Sequence, residues 1–227
     1  MSNSTIWNFW AKRYENLWVQ KVSLAPTRAK VIEELREIIT ERDKVYRILD
    51  IGCGTGQLIL DIKRSFNEFD LEIHGIDFSE KMTEAAKENL KASEVFSKEN
   101  TKIKEICDDE SLLNVMDTAD LNKIHKKFHI ITCTHSFPYY KNQRKVLMDM
   151  GGLLDENGTL IIANASENTA YDKVAMKLVK LTTGKAIYPS IEKMNSMKPK
   201  TLVLKNIIKI KERFFMPSII LFRWKKV

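Results

Sequence analysis

The sequence predicts an α/β fold in which a largely parallel sheet is covered by helices on both faces. Three observations carry that reading. Short apolar runs alternate with helical patterns, so that Tyr46–Asp50, Glu72–Ile76, Lys102–Cys107, Phe128–Cys133 and Thr159–Ala163 read as strands. A glycine-rich turn, Gly52–Gly56, follows the first strand directly and opens a helix over Gln57–Phe66. The second strand ends in an acidic residue, Asp77, within the run HGID.

The remaining elements follow in order. Ile6–Leu17 mixes Trp7, Phe9, Trp10 and Tyr14 with charge, as an amphipathic helix does, and Trp18 follows it. Pro26 opens a second helix whose apolar face is Val31, Ile32, Leu35, Ile38 and Ile39. Ser79 is placed to cap a helix over Glu80–Leu90, with Met82, Ala85 and Ala86 on its buried side. Leu112, Leu113, Val115 and Met116 suggest a helix between the third and fourth strands. Gln143–Leu154 is helical and closes at a Gly158 turn; Ala170–Leu181 and Ile191–Met197 read as helices. Thr201–Arg213 and Ser218–Lys225 read as two long strands, an antiparallel hairpin at the sheet edge.

Bulk properties narrow the function classes. With 227 residues, 44% of them hydrophobic, and no break in composition, the chain is expected to form a single domain, 1–227. No stretch has the apolar length of a membrane span. Met1–Leu24 carries Trp, Lys, Arg and Glu throughout, unlike a secretory signal. Cys53, Cys107 and Cys133 cannot all pair and lack metal-ligand spacing, so a cytoplasmic setting and no metal are expected. The net charge of +7 is concentrated at the end: Ser196–Val227 holds nine basic residues and one acidic residue. A basic tail can serve nucleic acid or anionic lipid. A solvated face of the last strands is the plainer explanation.

The chemistry lies in ILDIGCGTG, Ile48–Gly56, followed by Asp77. Gly52, Gly54 and Gly56, with Cys53 among them, let backbone approach a ligand closely, and a carboxylate at the end of the next strand suits ribose hydroxyls. A pyrophosphate-binding loop has the spacing GxGxxG. Here the spacing is GxGxG, and Asp50 stands just before it. A carboxylate beside the cradle disfavours a pyrophosphate, and with it a nicotinamide dinucleotide. It favours a nucleoside that carries an ammonium group.

On these residues the chain resembles the class I S-adenosylmethionine-dependent methyltransferases. ICD at Ile106–Asp108, FHIITCTHSFPYY at Phe128–Tyr140 and LLDENGTLII at Leu153–Ile162 extend the likeness over roughly 46–162. The resemblance implies a Rossmann-like seven-stranded mixed sheet, order 3-2-1-4-5-7-6 with strand seven antiparallel. It implies S-adenosyl-L-methionine as cofactor and S-adenosyl-L-homocysteine as product. By the same resemblance Asp77 binds the ribose diol, Asp50 lies near the methionine end and Phe78 packs on the adenine, with a core position as its alternative; Met82 is a candidate for the same pocket or for simple core, and Thr134 joins the cofactor set. Asp108 binds the adenine amino group, with Asp109 as its rival. FWAKRYENLW at Phe9–Trp18 resembles a lid in which Tyr14 meets the cofactor carboxylate, so 1–45 is an expected N-terminal helical lid and 167–200 an accessory substrate lid.

The acceptor side is less legible. Methyl transfer from a sulfonium is an in-line displacement, so the enzyme aligns a lone pair and excludes water. His135, directly after the fourth strand, is the candidate catalytic residue, as orienting group or base; pocket lining and plain packing are its alternatives. Trp10, Trp18, Tyr139, Tyr140 and Asn164 are candidate acceptor contacts, and Ser166 stands near them. Met176, Tyr188, Met194 and Met197 could line an apolar pocket, although such spacing is more often core. The sequence favours a small-molecule acceptor. No [Asn/Asp]-Pro-Pro-[Tyr/Phe] turn ends the fourth strand, where Cys133–Ser136 stands instead, and no RNA-binding signature is present. An RNA or protein methyltransferase, or a cofactor-binding protein without transfer activity, is the alternative.

Overall fold

The computed structural model describes residues 23–94, 121, 124–183, 186–211 and 216–227. Helix α1 is Ala25–Arg36, β1 Tyr46–Ile51, α2 Gln57–Ser65, β2 Leu71–Ile76 and α3 Glu80–Glu94. After these come β3 Phe128–Thr134, a short 3-10 turn Phe137–Tyr139, α4 Gln143–Leu153 and β4 Leu154–Ala165. The chain ends with α5 Ala170–Thr183, α6 Ile191–Met197, β5 Leu202–Ile210 and β6 Ile219–Lys226.

One sheet organises the molecule, in the order β2-β1-β3-β4-β6-β5. Its first four strands run parallel; β6 is antiparallel to both β4 and β5. The expected seven-stranded sheet in the order 3-2-1-4-5-7-6 is therefore corrected. Among the described residues there are six strands, and β2 is the last at its end of the sheet. The expected third strand, Lys102–Cys107, lies outside the described residues. Its run KIKEIC holds only three apolar residues, Ile103, Ile106 and Cys107, and lacks the near-continuous apolar run of the other parallel strands. The C-terminal hairpin is present as expected, with β6 inside the sheet and β5 on its edge.

The described strands fall where the apolar runs predicted, because a strand buried on both faces needs an unbroken apolar run. Ile48, Ile51, Ile73, Ile76, Ile130, Ile131 and Ile161 are fully buried. Trp224 and Phe222 on β6 are also fully buried and stack face to face, ring centroids 5.0 Å apart. One boundary differs in kind. Gly158 does not end an element: β4 starts at Leu154 and runs through it, with a register shift against β3 between Phe128 and Ile130. Asn157 takes the left-handed turn, at φ 62°. Asparagine tolerates that conformation, so the irregularity is absorbed within the strand.

Helix α1 lies on the sheet with Val31 and Leu35 fully buried. Arg223 of β6 ties it down by reaching Glu34 (3.0 Å) and Glu37 (2.6 Å). Pro26 sits in its first turn as expected. Asn142 caps α4, accepting from the Lys145 N–H at 3.0 Å. The chain leaves β1 for β2 on one side and reaches β3 on the other, so the order reverses beside β1. In open α/β sheets a ligand crevice forms at that switch point, outside the carboxyl ends of the strands.

Candidate functional site

The turn Gly52–Gly56 lies at this switch point. Gly52, Gly54 and Gly56 have φ of 76°, 54° and 77°, all in the left-handed region that glycine enters at no steric cost. Gly52 also needs its missing side chain for space. A Cβ there would lie 2.3 Å from the Cβ and Oγ of Ser136. Ser136 is itself fixed, donating its hydroxyl to the Ile51 carbonyl at 3.0 Å and lying 3.1 Å from the Cys133 thiol. Gly54 differs: a Cβ there would meet none of the described residues within 4 Å. Gly56 is the N-cap of α2.

Two carboxylates flank the turn. Asp50, 1% exposed, accepts the Thr132 hydroxyl at 2.7 Å. Burial pushes its carboxyl up to about 7; the Thr132 bond opposes that shift and the nearby Asp77 charge adds to it. Asp77, 6% exposed, accepts the backbone N–H groups of Gly54 and Ser79, each at 2.9 Å. Burial raises it to about 6 against those bonds. Asp77 thus braces the turn and shapes the start of α3 as well, while Ser79 caps α3 by accepting the Met82 N–H at 3.3 Å. Burial favours the neutral form of each acid, and a cation brought beside them would favour the charged form instead.

His135 follows β3 in a left-handed conformation, φ 60°, with its N–H on the Ala163 carbonyl at 2.7 Å. It is one of two described residues other than glycine with positive φ, and such strain persists only where the surroundings enforce it. Its Nε2 lies 3.0 Å from the Thr27 hydroxyl. Burial and, secondarily, the Arg28 charge push the imidazole down to about 4, so it is neutral at physiological pH. Arg28 is paired with Asp61 at 2.7 Å.

The other candidates are distributed unevenly. Thr134 and Phe78 are half-buried beside the cradle strands; Cys53 and Met82 are buried. Asn164 is fully buried, donates to the Ala165 carbonyl at 2.8 Å, and leaves its Oδ1 without a hydrogen-bond partner. Tyr139 is half-buried against Met176 and Tyr188. Tyr140 is placed in the core, edge-on to Phe137, and burial together with the neighbouring Cys133 holds its hydroxyl well above the ordinary phenol range. Met194 and Met197 are core residues. Ser166 pins the chain after β4, donating to the Pro189 carbonyl at 2.6 Å. Trp10, Tyr14, Trp18, Asp108 and Asp109 lie outside the described residues. Thr27, Thr132 and Ser136 escaped sequence reasoning as site residues; only the small residue after His135 gave any signal.

A protein-family model described as a methyltransferase domain matches residues 42–210. The chain belongs to this methyltransferase family. Its fold is that of the class I S-adenosylmethionine-dependent enzymes. It is 29% identical over 135 residues to demethylmenaquinone methyltransferase of Thermotoga maritima, covering 60% of this chain and 48% of that protein. It is 23% identical over 162 residues to malonyl-[acyl-carrier protein] O-methyltransferase 1 of Ilyobacter polytropus, covering 71% and 51%. The chain therefore spans about half the length of the curated relatives it matches. Among solved structures, magnesium protoporphyrin IX methyltransferase from Synechocystis, with bound SAH, superposes with a TM-score of 0.70 at 18% identity, over the whole of both chains.

The site fits a sulfonium nucleoside on its own geometry. The turn has room in front of Gly54, and the carboxylates suit ribose hydroxyls and an ammonium group. Gly54→Ala tests this directly. The left-handed φ makes alanine cost about 1–2 kcal/mol of stability. The added methyl meets no atom of the described residues, so the melting temperature should fall only by a few degrees. S-adenosylmethionine affinity, read by calorimetry, should drop at least roughly tenfold, a loss of about 1.4 kcal/mol. Unchanged affinity would remove Gly54 from the cradle.

Proposed function

We propose that this methyltransferase transfers the methyl group of S-adenosylmethionine to a small-molecule acceptor. The observation that carries the proposal is the pairing of a left-handed glycine turn with two buried carboxylates, Asp50 and Asp77, at the switch point of the sheet. Asp77 accepts the ribose hydroxyls, and Asp50 faces the ammonium end. Gly54 lets the chain approach without a side chain between. Phe78 and Met82 provide apolar cover for the base, and Thr134 lies at the open end of β3. Asp108 or Asp109 would hold the adenine amino group and Tyr14 the carboxylate.

The bound cofactor supplies an already activated methyl group. The chain's own task is to place the acceptor and exclude water. His135 carries the placing role. Held neutral by burial, it accepts a hydrogen bond from the acceptor and turns a lone pair of that acceptor towards the methyl. Trp10, Trp18, Tyr139 and Asn164 complete the acceptor pocket; Tyr140 supports it from the core. Residues 1–45 and 167–200 supply the covers over a single domain, 1–227. The relatives act on unlike acceptors, a demethylmenaquinone, a malonyl-acyl carrier and a magnesium porphyrin by their names, so acceptor identity is not carried over. We place the enzyme in the cytoplasm. Among the described residues no helix is long and apolar enough to cross a membrane.

Two measurements test the reading. Calorimetric titration should give saturable binding of S-adenosylmethionine and S-adenosylhomocysteine and none of NAD. Binding of NAD alone would overturn it. Incubation with methyl-labelled cofactor and a metabolite extract should then yield a labelled small molecule. Label recovered only in RNA or protein would move the acceptor class.

A further inference from the structure

The Thr27 hydroxyl has one proton, and the structure shows where it goes. Thr27 Oγ1 lies 2.8 Å from the Ser23 carbonyl, which can only accept. The hydroxyl therefore donates to Ser23. Towards the His135 Nε2, 3.0 Å away, it can act only as an acceptor. A neutral imidazole in that position must carry its proton on Nε2 and leave Nδ1 as a bare lone pair. Nδ1 has no hydrogen-bond partner among the described residues. Thr27 is fully buried, so the remaining exposure of His135 lies away from Nε2.

A second acceptor stands on the neighbouring strand. Asn164 commits its Nδ2 to the Ala165 carbonyl, which identifies the other amide atom as the oxygen, and that buried Oδ1 lacks a donor. Thr134 pairs with Ala163, and the His135 N–H bonds to the Ala163 carbonyl, so His135 and Asn164 follow one another at the ends of adjacent strands β3 and β4. A buried oxygen without a donor costs about 1–3 kcal/mol until a donor arrives. Two acceptors without a donor among the described residues thus stand at the ends of adjacent strands, and such groups favour a ligand that brings protons.

We propose that Thr27 is a positioning residue that locks His135 in the Nε2–H form, and that His135 Nδ1 with Asn164 Oδ1 selects an acceptor presenting O–H or N–H over one presenting a carboxylate. The inference rests on the reading of His135 as an acceptor-facing group. Thr27 touches neither cofactor nor acceptor and acts through the imidazole. The hydroxyl or amine to be methylated donates to Nδ1, and a carboxylate would set its own lone pairs against both protein acceptors.

The tautomer can be read without turnover. In protein labelled with ¹⁵N-histidine, the His135 ring is assigned among the four histidines by its loss in His135→Gln. In the wild-type protein Nε2 should be protonated and Nδ1 bare. Thr27→Ser should keep that state; Thr27→Val should mix the tautomers and lower kcat about tenfold with cofactor affinity unchanged. A wild-type Nδ1–H ring, or an unmixed ring in Thr27→Val, overturns the positioning role. Should the valine variant not fold, the wild-type spectrum still decides. For selection, labelled methyl is offered to panels of alcohols, amines and carboxylic acids. Ethers or N-methyl products support it, and methyl esters overturn it. If the tautomer is as stated but His135→Gln turns over normally, the acceptor role of His135 falls and the Thr27 lock stands.

Discussion

Gly52→Ala is expected to be the most damaging single methyl addition in the cradle. Two costs add. A left-handed backbone at φ 76° costs an L-residue about 1–2 kcal/mol. The new Cβ would also lie 2.3 Å from both Cβ and Oγ of Ser136, and a serine Cβ is fixed to its backbone and cannot rotate away. Forcing β3's end from the turn is an overpacking cost of about 1–3 kcal/mol. The sum, about 2–5 kcal/mol, lowers the melting temperature by roughly 10 °C for a domain of this size. It also breaks the Ser136 hydroxyl bond to Ile51 that joins the two strands under the cradle. Combining it with Ser136→Gly separates the costs. The double variant should recover the overpacking part in a thermal melt and retain the backbone part. A melt of Gly52→Ala within about 2 °C of wild type would show that the turn yields, and the rigid-cradle account would fail.

That pair of residues shows what the sequence could disclose. The cradle was legible because a left-handed backbone has a residue type of its own, and Gly52, Gly54 and Gly56 announce it. The strands were legible because two-sided burial demands an apolar run, as in Ile48–Ile51. What braces the cradle has no such signature. Thr132 reaches Asp50 across 82 positions of chain, Ser136 reaches Ile51 across 85, and His135 reaches Thr27 across 108. Thr132, Ser136 and Thr27 are small hydroxyl residues whose roles are set by what the fold brings beside them. Tyr140 shows the converse. Its aromatic ring and place after β3 suggest a ligand contact, but the turn at Phe137–Tyr139 places it in the core, edge-on to Phe137 and close to Cys133. Gly158 misled for a third reason: a strand can carry a glycine when its neighbour, here Asn157, takes the left-handed step.

Protonation of the carboxylate pair should make cofactor affinity and apo stability respond to pH in opposite directions. Asp50 and Asp77 are raised in the folded protein to about 7 and about 6, above the 3.8 of an unperturbed aspartate. The folded state thus binds these protons more tightly than the unfolded chain. Their contribution to stability is full below about pH 4 and is lost as pH rises through about 6 and then about 7. The charged forms that cost the apo protein stability are the forms that bind a ribose diol and an ammonium group. Affinity for S-adenosylmethionine should therefore rise from pH 5 to pH 8. Below pH 6 it should weaken by about tenfold per unit for each proton that must leave, the two groups titrating as a coupled pair. Asp77→Asn isolates one member. It removes the charge, and one of the two N–H donors, Gly54 or Ser79, loses its acceptor. Loss of charge-assisted bonds to two hydroxyls is about 3 kcal/mol, so cofactor affinity at pH 8 should fall by roughly 100-fold. The affinity that remains should depend less steeply on pH than in the wild type, because one of the two protons is gone. Calorimetric titrations and apo melts at matched ionic strength from pH 5 to pH 8, on wild type and variant, supply both readouts. Wild-type affinity that is flat across this range, or an Asp77→Asn protein that binds as tightly as wild type, would falsify the assignment of Asp77 to the ribose.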